Sequence, residues 1–293
     1  MSERLSTSRR TVLRLAAASA ALPFLPAGAE TAAASAEAPA DPGKRVRPLK
    51  LGIASYSLRK LPLDKVIQVC QEAQVQYVAF KDVHLPRTDP PEATRAIRQK
   101  VEAAGLTIMG GGTITWNKND EAEIRKDFEY AKNAGLPLMV VSPAPETLDT
   151  VEKLVKEYNI KTAIHNHGPE DKWYPAPKDA LAKLERRDPR MGLCMDIGHA
   201  TRAGADIVQS VSLAGPRLLD LHVKDLSDKT KKESQVEVGK GLLDIPGLFR
   251  ALVKARFAGH VSLEYEINEN DPVTGIKESL GYMKGVVDAL VQT

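Results

Sequence analysis

Cysteine is almost absent from this 293-residue chain. There are two, Cys70 and Cys194, each inside an apolar pattern, and no Cys-x-x-Cys pair. That supports neither a zinc ribbon nor a dithiol redox motif, and reads both thiols as buried and free rather than bridged, although an exported chain would permit the bridge. Long apolar runs are missing too. No stretch approaches the ~20 residues that span a bilayer, so stable membrane insertion is not expected. A Gly-rich phosphate turn after the first strand is also lacking, since that turn reads Ser55-Tyr56-Ser57-Leu58-Arg59. An open dinucleotide-binding sheet therefore fits poorly.

An excess of positive charge is the last absence, although the formal net charge is +3. Ser8-Arg9-Arg10-Thr11-Val12-Leu13, an apolar run from Leu15 to Leu25, and Ala27-Gly28-Ala29 read as a twin-arginine export signal over residues 1–29. That segment holds four arginines and one acid, leaving 37 basic against 37 acidic residues in the mature chain. A neutral chain offers no basic face to nucleic acid. Residues 30–47, rich in Ala and Pro, read as a flexible leader. The expected location is periplasmic, and self-association into a homo-oligomer is left open.

What is present is alternation. From residue 48 to 293, short aliphatic runs alternate eight times with longer amphipathic ones. The strands are expected at Leu49–Tyr56, Tyr77–Lys81, Leu106–Gly110, Pro137–Ser142, Ile160–His165, Met191–Asp196, Leu218–His222 and Val261–Glu264. The sixth helix is expected near Ala205–Ser212, and Lys224 to Leu243 as the longest loop. Eight strand–helix units in about 245 residues predict a single α/β domain, a (β/α)8 TIM barrel.

Polar residues at the strand tips carry the chemistry, because the C-terminal mouth of a barrel is where ligands bind. Five of six histidines (His84, His165, His167, His199, His222) fall at or just after such tips; His260 does not. His165, Asp196, His222 and Glu264, from neighbouring strands, form a candidate set for one divalent ion. Mixed nitrogen and oxygen donors without thiolate suit Mn, Co, Zn, Mg, Fe or Ni. Lys81, His84, His199, Lys224, Trp116 and Trp173 follow other tips and read as substrate contacts. His167 and His84 read as proton carriers, with Glu264 and Lys224 as further catalytic candidates.

At these residues the chain resembles the xylose isomerase-like TIM-barrel superfamily, within it the sugar phosphate isomerase/epimerase group. Asp196-Ile197-Gly198-His199, His222-Val223-Lys224-Asp225, Glu264 and the Val238-Gly239-Lys240-Gly241 turn match its patterns. The resemblance implies a metal-dependent isomerase or epimerase that abstracts a proton α to a metal-bound carbonyl of a small carbohydrate or glycoside. One departure stands out: His165 occupies the fifth-strand tip where ketose 3-epimerases of the group carry Glu. A 3-keto-glycoside lyase, expelling the aglycone by β-elimination, is the alternative. A non-catalytic sugar-binding protein is another. Endonuclease IV shares the barrel, but needs several zinc ions and a basic DNA face.

Overall fold

A computed structural model describes residues 49–291. The expected signal (1–29) and leader (30–47) lie outside the described residues.

Eight parallel strands close into a barrel. They are β1 (Lys50–Ala54), β2 (Tyr77–Phe80), β3 (Thr107–Trp116), β4 (Leu138–Pro143), β5 (Lys161–His165), β6 (Met191–Asp196), β7 (Leu218–Val223) and β10 (His260–Leu263). Each is adjacent to its sequence neighbour among these eight, and β1 pairs with β10 to close the ring. Two short antiparallel strands, β8 (Asp225–Leu226) and β9 (Gln235–Val236), form a hairpin between β7 and the next helix.

The helices return the chain along the outside: α1 (Leu63–Glu72), α2 (Pro91–Ala103), α3 (Glu121–Ala134), α4 (Leu148–Tyr158), α5 (Pro177–Leu184), α6 (Ile197–Arg202), α7 (Ile207–Ala214), α8 (Ile245–Lys254) and α9 (Val273–Val291). Their limits follow local chemistry. The Asp120 side chain accepts from the backbone N–H groups of Ala122 and Glu123 at the start of α3, and Gly135 ends that helix at φ 67°. Proline opens α2 and α5, where its missing N–H costs nothing.

The main core lies between strands and helices, with Ile53, Phe80, Phe128, Leu193, Leu221 and Phe249 buried in it. A separate, smaller cluster of Leu138, Val140, Ala163 and Cys194, with Leu219 against it, occupies the barrel interior. Two sequence expectations are corrected. β3 was expected to stop at Gly110, but the Gly110-Gly111-Gly112 run lets it bend and continue to Trp116. A Cβ at Gly112 (φ +118°) would lie 2.1 Å from the Val140 carbonyl oxygen. The sixth unit holds two helices, because α6 starts directly from the tip of β6 and α7 follows.

Candidate metal centre

Four side chains from β5, β6, β7 and the end of β10 meet at the C-terminal mouth. His165 Nε2 lies 3.1 Å from His222 Nδ1 and 3.7 Å from Asp196 Oδ2. Glu264 Oε2 lies 3.1 Å from His222 Nδ1. One donor atom from each of the four residues falls within 4.8 Å of all the others, and all four residues are buried. The register explains the convergence: His165 pairs with Cys194, Asp196 with His222, and Glu264 N–H bonds the Val223 carbonyl.

This arrangement fits a divalent ion. Bonds of about 2.0–2.2 Å to a four-coordinate ion leave neighbouring donors roughly 3–3.6 Å apart, close to the separations seen. Asp196 Oδ2 is fully buried and has no hydrogen-bond partner, although Lys224 and His165 stand within ion-pair distance. Burial pushes His165 down to about 3, leaving a neutral imidazole with a free lone pair. Cys194 approaches the same point with His165 and His222, and burial keeps its thiol protonated well above the usual range, so the His165, Asp196, His222 and Glu264 set is the one already in donor form.

Asp196 is fixed through its backbone and its other oxygen. The Asn166 amide donates to the Asp196 carbonyl and accepts from the Asp196 N–H, both at 3.0 Å. Oδ1 caps α6 by accepting from the His199 N–H at 2.8 Å. Burial alone would raise its pKa, but the Lys224 ammonium and the His199 and His165 imidazoles together outweigh that and hold the carboxyl well below its ordinary value. Glu264 is held down in the same sense, against burial, by His222, Lys81 and Lys224. For His222, burial is outweighed by the Glu264 carboxylate, so its pKa is raised.

Two lysines face these carboxylates. Lys81 Nζ lies 3.1 Å from Glu264 Oε1, and Lys224 Nζ lies 3.2 Å from both Asp196 Oδ2 and Glu264 Oε2. Lys224 also pairs with Glu266. Burial would lower the Lys224 pKa, yet the three carboxylates raise it. These neighbours favour the ammonium form of Lys224 beside the donor cluster.

The other expected residues divide. His199 packs its ring 5.9 Å from that of His165 and 4.8 Å from that of His167, and burial pushes it down to about 4. His167 is 63% exposed, with Nδ1 3.9 Å from Asp171 Oδ2. Both imidazoles and Trp173 line a chamber of about 350 Å³ together with Thr115, Ser142 and Lys232. His84 is not brought into this group: it is buried, and its Nε2 bonds the Leu61 carbonyl at 2.8 Å. Trp116 is corrected as well. It is 5% exposed, stacks on Phe128 and donates its indole N–H to Asp127 at 2.7 Å, so it packs in the core.

Sequence reasoning missed Asn166, Glu266 and Asp171. Asn166 stands inside the His-Asn-His run, which was the available signal; Glu266 follows Glu264 at the two-residue spacing of one strand face.

With this geometry in place, residues 67–286 match the profile of the xylose isomerase-like TIM barrel. The chain belongs to that family. Inosose dehydratase of Mesomycoplasma hyopneumoniae (strain J) is 26% identical over 159 residues, 48% of this chain and 52% of that protein. The match thus spans about half the length of that curated relative. A putative uncharacterized protein from Parabacteroides distasonis superposes with a TM-score of 0.63 at 25% identity, over 81% of this chain and 99% of that one. The IolI protein, solved with a bound zinc atom, superposes at 0.67 with 18% identity, over 82% and 99%.

Proposed function

We propose that this protein is a metal-dependent carbohydrate enzyme that removes a proton from the carbon beside a carbonyl. The convergence of His165, Asp196, His222 and Glu264 at the barrel mouth carries the reading. A divalent ion held by these four would act as a Lewis acid toward a substrate oxygen. The chain's own groups supply the rest. Lys81 and Lys224 offer ammonium protons to substrate oxygens beside the carboxylates. His199, neutral through burial, binds a hydroxyl. His167 is the proton carrier, since it lines the chamber, reaches water, and has Asp171 beside its other nitrogen.

Elimination is the outcome we favour. His165 is a neutral imidazole facing the donor cluster, so the second carboxylate base that a two-face epimerisation needs is not at that strand tip. A single base on one face suits loss of a proton followed by expulsion of a leaving group from the next carbon, as water or as the aglycone of a 3-keto-glycoside. The relative named inosose dehydratase is in keeping with this. Isomerisation or epimerisation, in which the proton is returned to carbon, is the second reading and rests on the shared proton step.

Proton NMR in D2O of the zinc-loaded protein with a 3-keto-glucoside and with free ketoses tests both. Released aglycone with an unsaturated or hydrated keto-sugar supports elimination. Deuterium entering a ketose with a new epimer or aldose supports the second reading. Sugar affinity with no turnover overturns both in favour of a binding protein. Glu264→Gln is expected to remove metal binding and turnover together; an active, metal-free variant would sink the ligand set.

Export through the twin-arginine route is part of the same proposal, supported by Arg9-Arg10 and the apolar run after them. Replacing both arginines by lysine should leave an uncleaved precursor in the cytoplasm, read by fractionation and blotting.

A further inference from the structure

The donor cluster is only the upper tier of a polar barrel interior. Residues two apart on a strand share a face. Asp220 therefore lies beneath His222 on β7, Cys194 beneath Asp196 on β6, and Ser262 and His260 beneath Glu264 on β10. The register draws them together: Asp220 pairs with both His260 and Cys194, and Ser262 with His222. All four are buried.

Their hydrogen bonding is incomplete. Asp220 Oδ1, Ser262 Oγ and both ring nitrogens of His260 have no partner in the protein. Asp220 Oδ2 receives the Cys194 thiol at 3.8 Å, and the Leu221 N–H also acts on this carboxylate. The backbone gives this tier its room: Gly52 of β1 stands in register with Ser262, and a Cβ there would lie 2.4 Å from His260 Nε2. Buried polar groups are nearly always bonded, and where side chains do not supply the bond, ordered water does. A second cation is not indicated, because neither donor grouping among the described residues includes Asp220 or His260.

We propose that Asp220, Ser262 and His260 enclose a buried hydration site beneath the metal centre, and that Asp220 acts through it as a positioning residue for His222. The two tiers touch, since the Cys194 sulfur lies within 4.8 Å of the donor nitrogens of His165 and His222. Partners behind a ligating histidine fix its ring and strengthen it as a donor. The positioning half rests on the metal-centre reading; the hydration half stands without it.

A high-resolution crystal structure of the full chain tests the hydration site. Ordered water within hydrogen-bond distance of Asp220 Oδ1 and Ser262 Oγ is expected; a dry interior overturns it. For the positioning role, Asp220→Asn and Ser262→Ala are compared with the parent by chelator competition and by the visible spectrum of the cobalt-loaded protein. Asp220→Asn should weaken metal binding roughly 10–100-fold and shift the cobalt bands. Ser262→Ala, which alters no charge, should change both in the same direction by less. Unchanged affinity and spectrum in both variants overturn the positioning role. A parent protein that binds no metal at all would instead sink the functional reading, leaving the crystallographic result to judge the hydration site.

Discussion

The two tryptophans show how one residue type takes opposite roles. Trp116 ends a strand with its indole N–H on Asp127 and its ring on Phe128, whereas Trp173 stands in the wall of the chamber. Trp116→Phe keeps the ring and loses the bond, so it should cost about 1 kcal/mol of stability and leave KM unchanged. Trp173→Ala should raise KM with little change in melting temperature. Denaturant melts and steady-state kinetics on the two variants separate these outcomes. At this scale the sequence was most informative where chemistry is unusual. A carboxylate or imidazole at the end of an apolar strand has few structural uses, so His165, Asp196, His222 and Glu264 were legible. The neighbours that orient them were not, because an Asn or a second Glu is common at any surface. Nor could sequence distinguish His84 from the others, since its fate depends on the Leu61 carbonyl, contributed by a distant turn.

Among the elements, the segment between β7 and α8 departs most from expectation. Read as one long loop, it carries the β8–β9 hairpin and is gathered around a single carboxylate. Asp225 accepts from the N–H groups of Leu226, Gly239, Gly241 and Leu243 at 2.9–3.1 Å. A Cβ at Gly241 would lie 2.0 Å from Asp225 Oδ1, so glycine at this position lets the backbone close on the acid. Gln235 then ties the hairpin to the end of β10, donating to the Glu264 carbonyl and accepting from the Glu266 N–H. Asp225→Ala should therefore cost about 3 kcal/mol, seen as a melting temperature lower by roughly 6–12 °C. Loss of activity without loss of stability would contradict this structural role. Strand and helix alternation was readable because its periodicity is local. The hairpin and the bend in β3 were not, because each is set by a contact far along the chain.

For the molecule as a whole, the buried histidines set an acid limit. Burial holds His165 and His260 at about 3 and His199 at about 4 in the folded state, against 6.5 when exposed. Between those values the unfolded chain binds more protons, so stability falls as pH is lowered. Asp196 and Glu264, with depressed values, act in the same direction at lower pH. His222 opposes them: its raised value adds stability below 6.5 that is lost as pH rises through it. The melting temperature of the metal-free protein is expected to fall from about pH 6.5 toward about pH 4. A flat profile over that range would mean that these rings reach water.

The four donors also come from strands that lie side by side, β5, β6, β7 and β10, while β1 to β4 contribute none. An ion bound to all four would act as a clasp on one half of the ring, since parting any of those strands would cost a coordination bond. The other half would keep only its backbone ladder and packing. Amide exchange should therefore slow on metal addition in residues 161–165, 191–196, 218–223 and 260–263 far more than in residues 50–54 and 77–80. A barrel that is symmetrical in its backbone would then open asymmetrically, with the strands that carry no donor parting first.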